Sequence, residues 1–324
     1  MILALFVFLA GEAFAAQIVT TLPWLGDIAQ QVAPEAQVTV LARGTDDPHV
    51  LSPTPALIAK VSSADLYVEN GMSLELWSER LLDAAGNPGI RPGQAGYVLA
   101  TQGMQRLAVP SDLSRARGDL HPEGNPHVWT DPLNAPVAAD NIAAGLARID
   151  PVNAEQYTAN AARFRRRIEE ATFGADLVDF MGGELLTRLE RGHQLRPFLE
   201  KKGLQDSLGG WLKAGESLRG KPVVFYHQSW AYLIERFGLE LVGTVEDRPG
   251  INPTAAHRDE LLSLIRAREV GIIAVTSYYD ARIPKLLGEQ SGAAVVTLPG
   301  DVGGVPEAKD YFAFIDALLS RLAG

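Results

Sequence analysis

The sequence predicts an α/β protein of two lobes, each with a mostly parallel β-sheet flanked by helices, joined by one long backbone helix. Short β-branched runs alternate with amphipathic stretches in residues 16–149 and again in 221–324. This alternation is typical of βαβ units and parallel sheets. Between the two blocks, residues 152–172 are rich in Ala, Arg and Glu, with few helix breakers, which predicts one long helix. The length of 324 residues also exceeds that of one small domain.

The first block contains four predicted strands and four predicted helices. The strands are expected at 17–22, 38–41, 65–68 and 97–100. The helices are expected at 25–32, 52–63, 74–84 and 132–149. Ser52 is a good N-cap for the second helix, with Pro53 just inside it. Residues 109–126 contain several Pro and Gly among charged residues, which predicts an exposed loop.

The second block repeats the alternation. Strands are expected at 223–226, 239–244, 271–276 and 293–298, and helices at 230–237, 254–268, 283–291 and 307–322. The helix at 254 has Asn252 or Thr254 as its expected N-cap. The predicted domains are a lobe at 16–149, a linker helix at 150–180, a helical insertion at 181–220 and a second lobe at 221–324.

The N-terminus resembles an export signal. Residues 2–10 are apolar but too few to span a bilayer, and Ala13 to Ala15 fit the small-x-small pattern of a cleavage site. We therefore expect residues 1–15 to be a signal peptide and the mature protein to be periplasmic.

Composition limits the chemistry. The chain has no cysteine, which rules out disulfides and thiolate metal ligands. A metal would have to be held by His, Asp, Glu or backbone oxygen. The net charge of −10 is spread along the chain and argues against nucleic acid as a ligand, since phosphate contacts need a clustered basic surface. No strong oligomerisation signal is present, so a monomer is expected.

Three of the six histidines fall where ligands bind in α/β proteins. His49 follows a predicted strand and precedes a capped helix, His127 lies just past the exposed loop, and His227 ends the first strand of the second block. In open α/β sheets, ligands bind outside the carboxyl ends of strands. Three imidazoles meeting there would form a nitrogen-rich site suited to Zn²⁺.

A closed tetrahedral site needs a fourth ligand. Asp301 follows the last predicted strand, Asp280 follows the strand before it, and Glu246 follows the strand before that. Position alone does not decide which of these three carboxylates, or a water molecule, is the fourth ligand.

Four stretches, taken in order, carry a family resemblance. They are 47–55 with DPH and SPTP, 64–77, 126–132 with PHVW, and 226–239 with YHQ. Together they resemble the metal-binding receptors of bacterial zinc and manganese ABC importers. The resemblance implies two lobes, one long connecting helix and a metal site at their interface.

The resemblance also implies the ligands. It gives His49 and His127 from the first lobe, His227 from the second, and a carboxylate near the end of the last strand, for which Asp301 matches best by position. The implied cargo is Zn²⁺, with Mn²⁺ as the alternative, and the implied partner is a membrane permease. The loop with His121 would at most recruit metal weakly, and a plain surface loop is an equal interpretation.

Two rival functions remain open on sequence. A secreted zinc hydrolase would use three His, an open water position and a carboxylate such as Glu246 as general base. A binding protein for a small organic ligand would have an aromatic-lined cleft, for which Trp129, Trp230, Tyr278 and Tyr279 are candidates, although core packing explains them equally well.

Overall fold

The computed structural model describes residues 15–110, 121–248 and 250–324. The predicted signal peptide lies outside the described residues, apart from Ala15. Eight strands in the described part form two parallel four-stranded sheets, each flanked by helices. The predicted fold class is confirmed.

The first lobe is built on strands β1 to β4 in the order β2-β1-β3-β4. They are β1 (Gln17–Thr20), β2 (Gln37–Val40), β3 (Leu66–Glu69) and β4 (Tyr97–Leu99). Ile18 of β1 pairs with Val38 and Leu66 of the neighbouring strands, and its side chain is fully buried on one face of the sheet. The helices are α1 (Pro23–Val32), α2 (Pro55–Ser62), α3 (Ser78–Ala85) and α4 (Ala135–Ile149).

In the first lobe, specific contacts explain why the starts of α2 and α3 differ from the prediction. The hydroxyl of Thr54, not Ser52, caps α2 by accepting from the backbone N–H of Leu57 at 3.3 Å. α3 begins at 78 rather than 74 because the preceding chain folds back on a carboxylate: Glu75 accepts from the N–H groups of Asn70 and Gly71, each at 2.9 Å.

The lobes are connected through five helices. They are α5 (Ala154–Phe173), α6 (Ala175–Met181), α7 (Gly183–Arg191), α8 (Leu195–Lys202) and α9 (Gly210–Ala214). α5 is the long central helix of 20 residues, preceded by a 3-10 turn at Pro151–Asn153. It ends at Gly174, whose φ of +90° is a conformation that glycine adopts without strain. The range predicted as the linker, 150–180, therefore holds the turn, α5 and most of α6.

The second lobe repeats the plan, with strand order β6-β5-β7-β8. Its strands are β5 (Pro222–Phe225), β6 (Glu240–Thr244), β7 (Ile272–Thr276) and β8 (Ala294–Leu298). Its helices are α10 (Ala231–Phe237), α11 (Ala255–Ala267), α12 (Arg282–Ser291) and α13 (Tyr311–Ala323). Thr254 caps α11, as one of the two expected candidates. α13 begins four residues later than expected, because the carboxylate of Asp310 accepts from the N–H of Ala313.

The main hydrophobic core runs through both lobes. Trp24 of α1 is fully buried and stacks on Trp129 of the first lobe, with ring centroids 6.1 Å apart. The same indole lies 6.3 Å from the ring of Tyr311 in the second lobe. Burying these large aromatic surfaces at the junction fixes how the lobes sit against each other. Among the described helices, none combines the length and apolar character needed to cross a bilayer.

Candidate metal centre

The three predicted histidines meet at the junction of the lobes. His49 lies in the loop between β2 and α2, His127 in the loop that leads to α4, and His227 two residues after β5. The segments of His49 and His227 follow the carboxyl ends of parallel strands, the usual ligand position in such sheets.

A ring nitrogen from each of the three lies within 4.8 Å of the other two. The ring centroids are 5.2 Å apart for His49 and His127, 5.7 Å for His49 and His227, and 6.0 Å for His127 and His227. In the part of the chain that the structure describes, this is the group of His, Asp and Glu side chains whose spacing suits a metal ion. Its donor set of three imidazoles is one that Zn²⁺ accepts.

The first-lobe rings are oriented by neighbouring oxygens. His49 Nδ1 lies 2.7 Å from the Asp47 carboxylate, and His127 Nδ1 lies 3.1 Å from the Asn125 side-chain oxygen. Each oxygen also accepts from the backbone N–H of its own histidine, at 3.0 Å. A ring that donates from Nδ1 presents the lone pair of Nε2, so that both rings are set in the tautomer that ligates through Nε2.

The second-lobe ring is held in the same way. His227 Nδ1 lies 2.8 Å from the carboxylate of Glu246, which also accepts from the N–H of Gly250 at 3.1 Å. Glu246 is 7% exposed and His227 is 5% exposed, so this pair is buried. Glu246, one of the carboxylates considered as a ligand from sequence, thus contacts Nδ1 of His227 and is not a member of the histidine cluster.

His127 has a buried ring nitrogen, Nε2, that lacks a hydrogen-bond partner among the described residues. A buried polar atom without a partner is costly, and such atoms in native structures call for an explanation. The residues present fit a metal ion, which would take this lone pair.

Electrostatics favour the neutral imidazole at this site. Burial lowers the pKa of His127 well below 6.5, and the neighbouring His49, His227 and His121 lower it further. Burial raises the pKa of Asp47, but the hydrogen bonds from His49 outweigh it, and the pKa lies below its usual value. A metal ion requires a neutral imidazole at His127, and an ionised Asp47 supports the neighbouring ring of His49.

The loops that carry the histidines are anchored to the protein. The indole N–H of Trp77 donates to the carbonyl of Pro48 at 3.0 Å, next to His49. Asn125 donates from its amide to the carbonyl of Gln228 at 2.5 Å, which joins the segment before His127 to the residue after His227. The last contact crosses between the lobes at the site itself.

Asp301 is placed differently from the three imidazoles. It is buried, and its carboxylate accepts from the backbone N–H groups of Trp24 at 2.9 Å and Val302 at 2.6 Å. Trp24 lies in the first turn of α1, so this carboxylate of the second lobe satisfies the N-terminus of a first-lobe helix. Burial raises the pKa of Asp301 well above its usual value. Asp301 is not a member of the imidazole cluster in the described residues.

The remaining carboxylate candidate and two further histidines lie elsewhere. Asp280 is exposed and pairs with Arg282 at 2.5 Å. His193 is exposed and lies 3.0 Å from Glu235. His257 donates from Nε2 to the carbonyl of Thr244 at 2.9 Å.

His121 lies closer to the histidine cluster than the sequence indicated. His121 places its Nε2 3.3 Å from Nε2 of His49, with ring centroids 5.3 Å apart. Its ring centroid is 6.2 Å from that of His127. The only signal in the sequence was its position six residues before His127 on the same loop.

Comparison with known families identifies the family of this chain. The model of the family described as ZnuA, zinc-uptake complex component A, periplasmic, matches residues 18–173 and 205–324. This chain belongs to that family. Family members are solute-binding components of ABC importers, which work with a membrane permease and bind metal ions, and they are not enzymes.

Individual relatives span nearly the whole chain. The iron-binding protein YfeA of Yersinia pestis is 25% identical over 317 residues, covering 95% of this chain and 85% of that protein. The high-affinity zinc uptake system protein ZnuA of Bacillus subtilis is 22% identical over 311 residues, covering 94% and 85%. A crystal structure of ZnuA aligns with a TM-score of 0.69 at 22% identity, covering 96% of this chain and 98% of that chain.

Proposed function

We propose that this protein captures a divalent transition metal, Zn²⁺ in preference to Mn²⁺, through His49, His127 and His227, and delivers it to the permease of an ABC importer. The observation that carries the proposal is the convergence of three ring nitrogens from two lobes, within 4.8 Å of one another. Their other ring nitrogens are engaged by Asp47, Asn125 and Glu246. An arrangement of this kind holds histidine ligands ready for a metal.

The donor set supports zinc. Three imidazole nitrogens suit Zn²⁺, whereas Mn²⁺ prefers more oxygen ligands. Relatives at similar identity carry names that mention iron or zinc, so the choice of metal rests on the donors of this chain rather than on kinship.

Binding is a ligand exchange in which Zn²⁺ loses water and gains neutral imidazoles. Protonated histidine cannot ligate, so affinity is expected to fall as the pH drops. The ligands come from loops that are already anchored, and the lobes are joined by Asn125 at the site. Local ordering around the metal is therefore expected rather than a large hinge motion.

The two rival functions find little support in the contacts. The carboxylate that a hydrolase would use as general base, Glu246, is committed to His227 and Gly250. The indoles expected to line an organic-ligand cleft are packed in the interior: Trp129 stacks on Trp24, and Trp230 stacks on Phe225.

Other features of the proposal follow from sequence and family. We propose that the mature chain is periplasmic, monomeric and without nucleic-acid ligands. We also propose the domain boundaries predicted above, with 181–220 as an insertion. The family match supports an insertion near this place, since it leaves out residues 174–204, which hold α6 to α8.

The proposal is tested by removing one ligand from the second lobe. The mature protein, stripped with chelator, is titrated with Zn²⁺ and Mn²⁺ in competition with a chelator of known affinity, beside His227→Ala. We expect one tight Zn²⁺ per chain and weaker Mn²⁺. The variant should lose at least about 100-fold in Zn²⁺ affinity, more than the roughly 10–100-fold lost when only a hydrogen-bond partner of a ligand is removed.

His193→Ala is the matched control, since that imidazole is exposed and contacts Glu235 instead of the histidine cluster. It should titrate like the wild type. The absence of a tight site in the wild type, or equal affinity in His227→Ala, would contradict the proposal.

A further inference from the structure

Helix α7 lies in residues 174–204, which the family model leaves unmatched, yet it is packed into the protein. Its Leu186 is fully buried and belongs to the main hydrophobic core. Its first residue, Gly183, lies against α5: a Cβ there would be 1.9 Å from a carboxylate oxygen of the buried Glu169. The start of α7 is therefore fixed to the long central helix.

The other end of α7 contacts both lobes. Glu190 accepts a hydrogen bond from Arg236 of the second lobe at 2.9 Å. Arg191 donates to the carbonyl of Leu133 in the first lobe at 2.9 Å, and it lies 3.5 Å from the side-chain oxygen of Asn134. Two neighbouring residues of one helix thus hold the two lobes at once.

These contacts fall on the segments that continue from two of the proposed ligands. In the first lobe, the side-chain amide of Asn134 donates to the carbonyl of Val128 at 3.0 Å, the residue directly after His127. In the second lobe, α10 begins shortly after His227 and carries Arg236. A shift of α7 relative to either lobe would therefore act on a segment that carries a ligand.

The charges at this end of α7 balance. Arg236 and Asp131 form the buried pair between the lobes, and α7 adds one charge of each sign, on Glu190 and Arg191. Asp131 and Arg236 both act electrostatically on Arg191. Removing one partner from buried, hydrogen-bonded charges is costly, because the remaining charge stays unpaired. Moving the lobes apart here would separate these charges.

We propose that Glu190 and Arg191 are positioning residues of α7 that hold the His127 and His227 segments together before the metal arrives. The inference rests on the proposed function and deepens it. A site whose ligands are already in place loses less freedom on binding, so affinity is higher than for ligands that must first be brought together. The metal-free lobes stay closed, and release of the metal is slow because it requires the network at α7 to open.

The first readout is the distance between the lobes without metal. The chain has no cysteine, so Lys60→Cys on α2 and Glu289→Cys on α12 place one spin label on each lobe, at exposed positions. Pulsed electron paramagnetic resonance in the presence of chelator should give one narrow distance distribution that Zn²⁺ leaves unchanged. Glu190→Gln/Arg191→Met, which keeps good helix formers, should give a broader distribution that Zn²⁺ narrows.

The second readout is the rate of Zn²⁺ release into excess chelator. The double variant should release Zn²⁺ about 10-fold faster, the factor expected when the loss of one charge-assisted hydrogen bond bears fully on the closed arrangement. Arg191→Lys keeps a donor for the carbonyl of Leu133 and should release Zn²⁺ more slowly than Arg191→Met. Arg188→Met/Glu200→Gln is the matched control, because it removes the same charges from exposed positions of α7 and α8. It should match the wild type in both readouts.

A lower free energy of unfolding in the double variant, with unchanged distances and an unchanged release rate, would overturn the inference, since α7 would then support the fold alone. A broad distribution in the metal-free wild type would overturn it as well. The distances are measured without metal, so neither result bears on the proposed function. Failure of the proposed function would show instead in the titration of His227→Ala.

Discussion

At the scale of single residues, the proposed site owes its shape to oxygen atoms behind the rings. Glu246 contacts Nδ1 of His227 and is itself held by the N–H of Gly250. A carboxylate in this position fixes the tautomer and increases the basicity of the opposite nitrogen. The metal therefore meets rings whose orientation is already set.

Replacing Glu246 by Gln should weaken zinc binding by roughly 10-fold, the lower end of the range for hydrogen-bond partners of ligands. The amide oxygen can still accept from Nδ1 but carries no charge. Zinc competition titrations check this, with Asp280→Asn as control because Asp280 is an exposed carboxylate paired with Arg282. Equal affinities of Glu246→Gln and wild type would show that the carboxylate does not support the ligand.

The buried ring of His127 should make the metal-free protein sensitive to acid. Its pKa is lowered in the folded state, chiefly by burial, whereas the unfolded chain binds a proton near pH 6.5. The unfolded state therefore binds more protons below that pH, and folding loses stability as the pH falls. The loss approaches about 1.4 kcal/mol per pH unit for one group.

His127→Gln removes this group. Its free energy of unfolding, measured with chelator present, should fall less than that of the wild type between about pH 7 and about pH 5.5. Denaturant unfolding at both values gives the comparison. A variant that loses as much stability as the wild type over this range would show that His127 is not buried in its neutral form.

The sequence allowed the three central histidines to be predicted because His49 and His227 lie at the carboxyl ends of predicted strands and His127 lies just past the exposed loop. The residues that contact the Nδ1 atoms of those rings were harder to predict. Glu246 was a candidate ligand on the same grounds, and only tertiary packing shows which nitrogen it faces. His121 sits in a stretch rich in Gly, Pro and charge, where no periodicity indicates direction.

At the scale of elements, the loops after the strands bring the lobes into contact. The loop after β2 contains Gly44, which meets the loop after β8. A Cβ on Gly44 would lie 2.1 Å from the carbonyl oxygen of Val302 and 2.5 Å from the nitrogen of Gly304. Backbone atoms cannot yield as a flexible side chain would, so this contact needs a residue without a side chain.

Gly44→Ala should lower the free energy of unfolding by about 1–3 kcal/mol, the usual range for overpacking. It should also weaken zinc binding, because the same loop leads to His49. Denaturant unfolding and zinc titration measure both effects. Gly271→Ala is the control, since a Cβ there meets no atom within 4 Å. Matching behaviour of the two variants would contradict the close approach.

All eight strands could be predicted from the sequence, because β-branched runs between turn residues carry a local signal. The first residue of each helix was harder to predict than the strands. Ser52 and Thr54 are both good caps with a proline after them, and nothing local decides between them. The late start of α3 depends on Glu75 folding back to two backbone N–H groups, a contact that residue type does not foretell.

At the scale of the whole molecule, a buried ion pair joins the lobes away from the site. Arg236 of α10 donates to both oxygens of Asp131, at 2.9 and 2.8 Å, and to Glu190 of α7 at 2.9 Å. Burial lowers the pKa of Arg236, but the attraction of Asp131 outweighs it, and the pKa is raised. Both Arg236 and Asp131 are 5% exposed.

Arg236→Met should lower the free energy of unfolding by about 3–5 kcal/mol, because it leaves the carboxylate of Asp131 buried without its partner. Denaturant unfolding measures the loss, and Arg282→Met is the control, since Arg282 forms an exposed pair. A change below about 1 kcal/mol, the usual value of a surface pair, would contradict a structural role for this contact between the lobes.

The central claim is that one zinc ion lies between the lobes on three histidines. The measurement that tests it most directly is a crystal structure of the zinc-loaded mature protein with anomalous data at the zinc absorption edge. We predict one anomalous peak per chain, about 2.0–2.1 Å from Nε2 of His49, His127 and His227. A peak elsewhere, or one bound by imidazoles of a single lobe, would contradict the account.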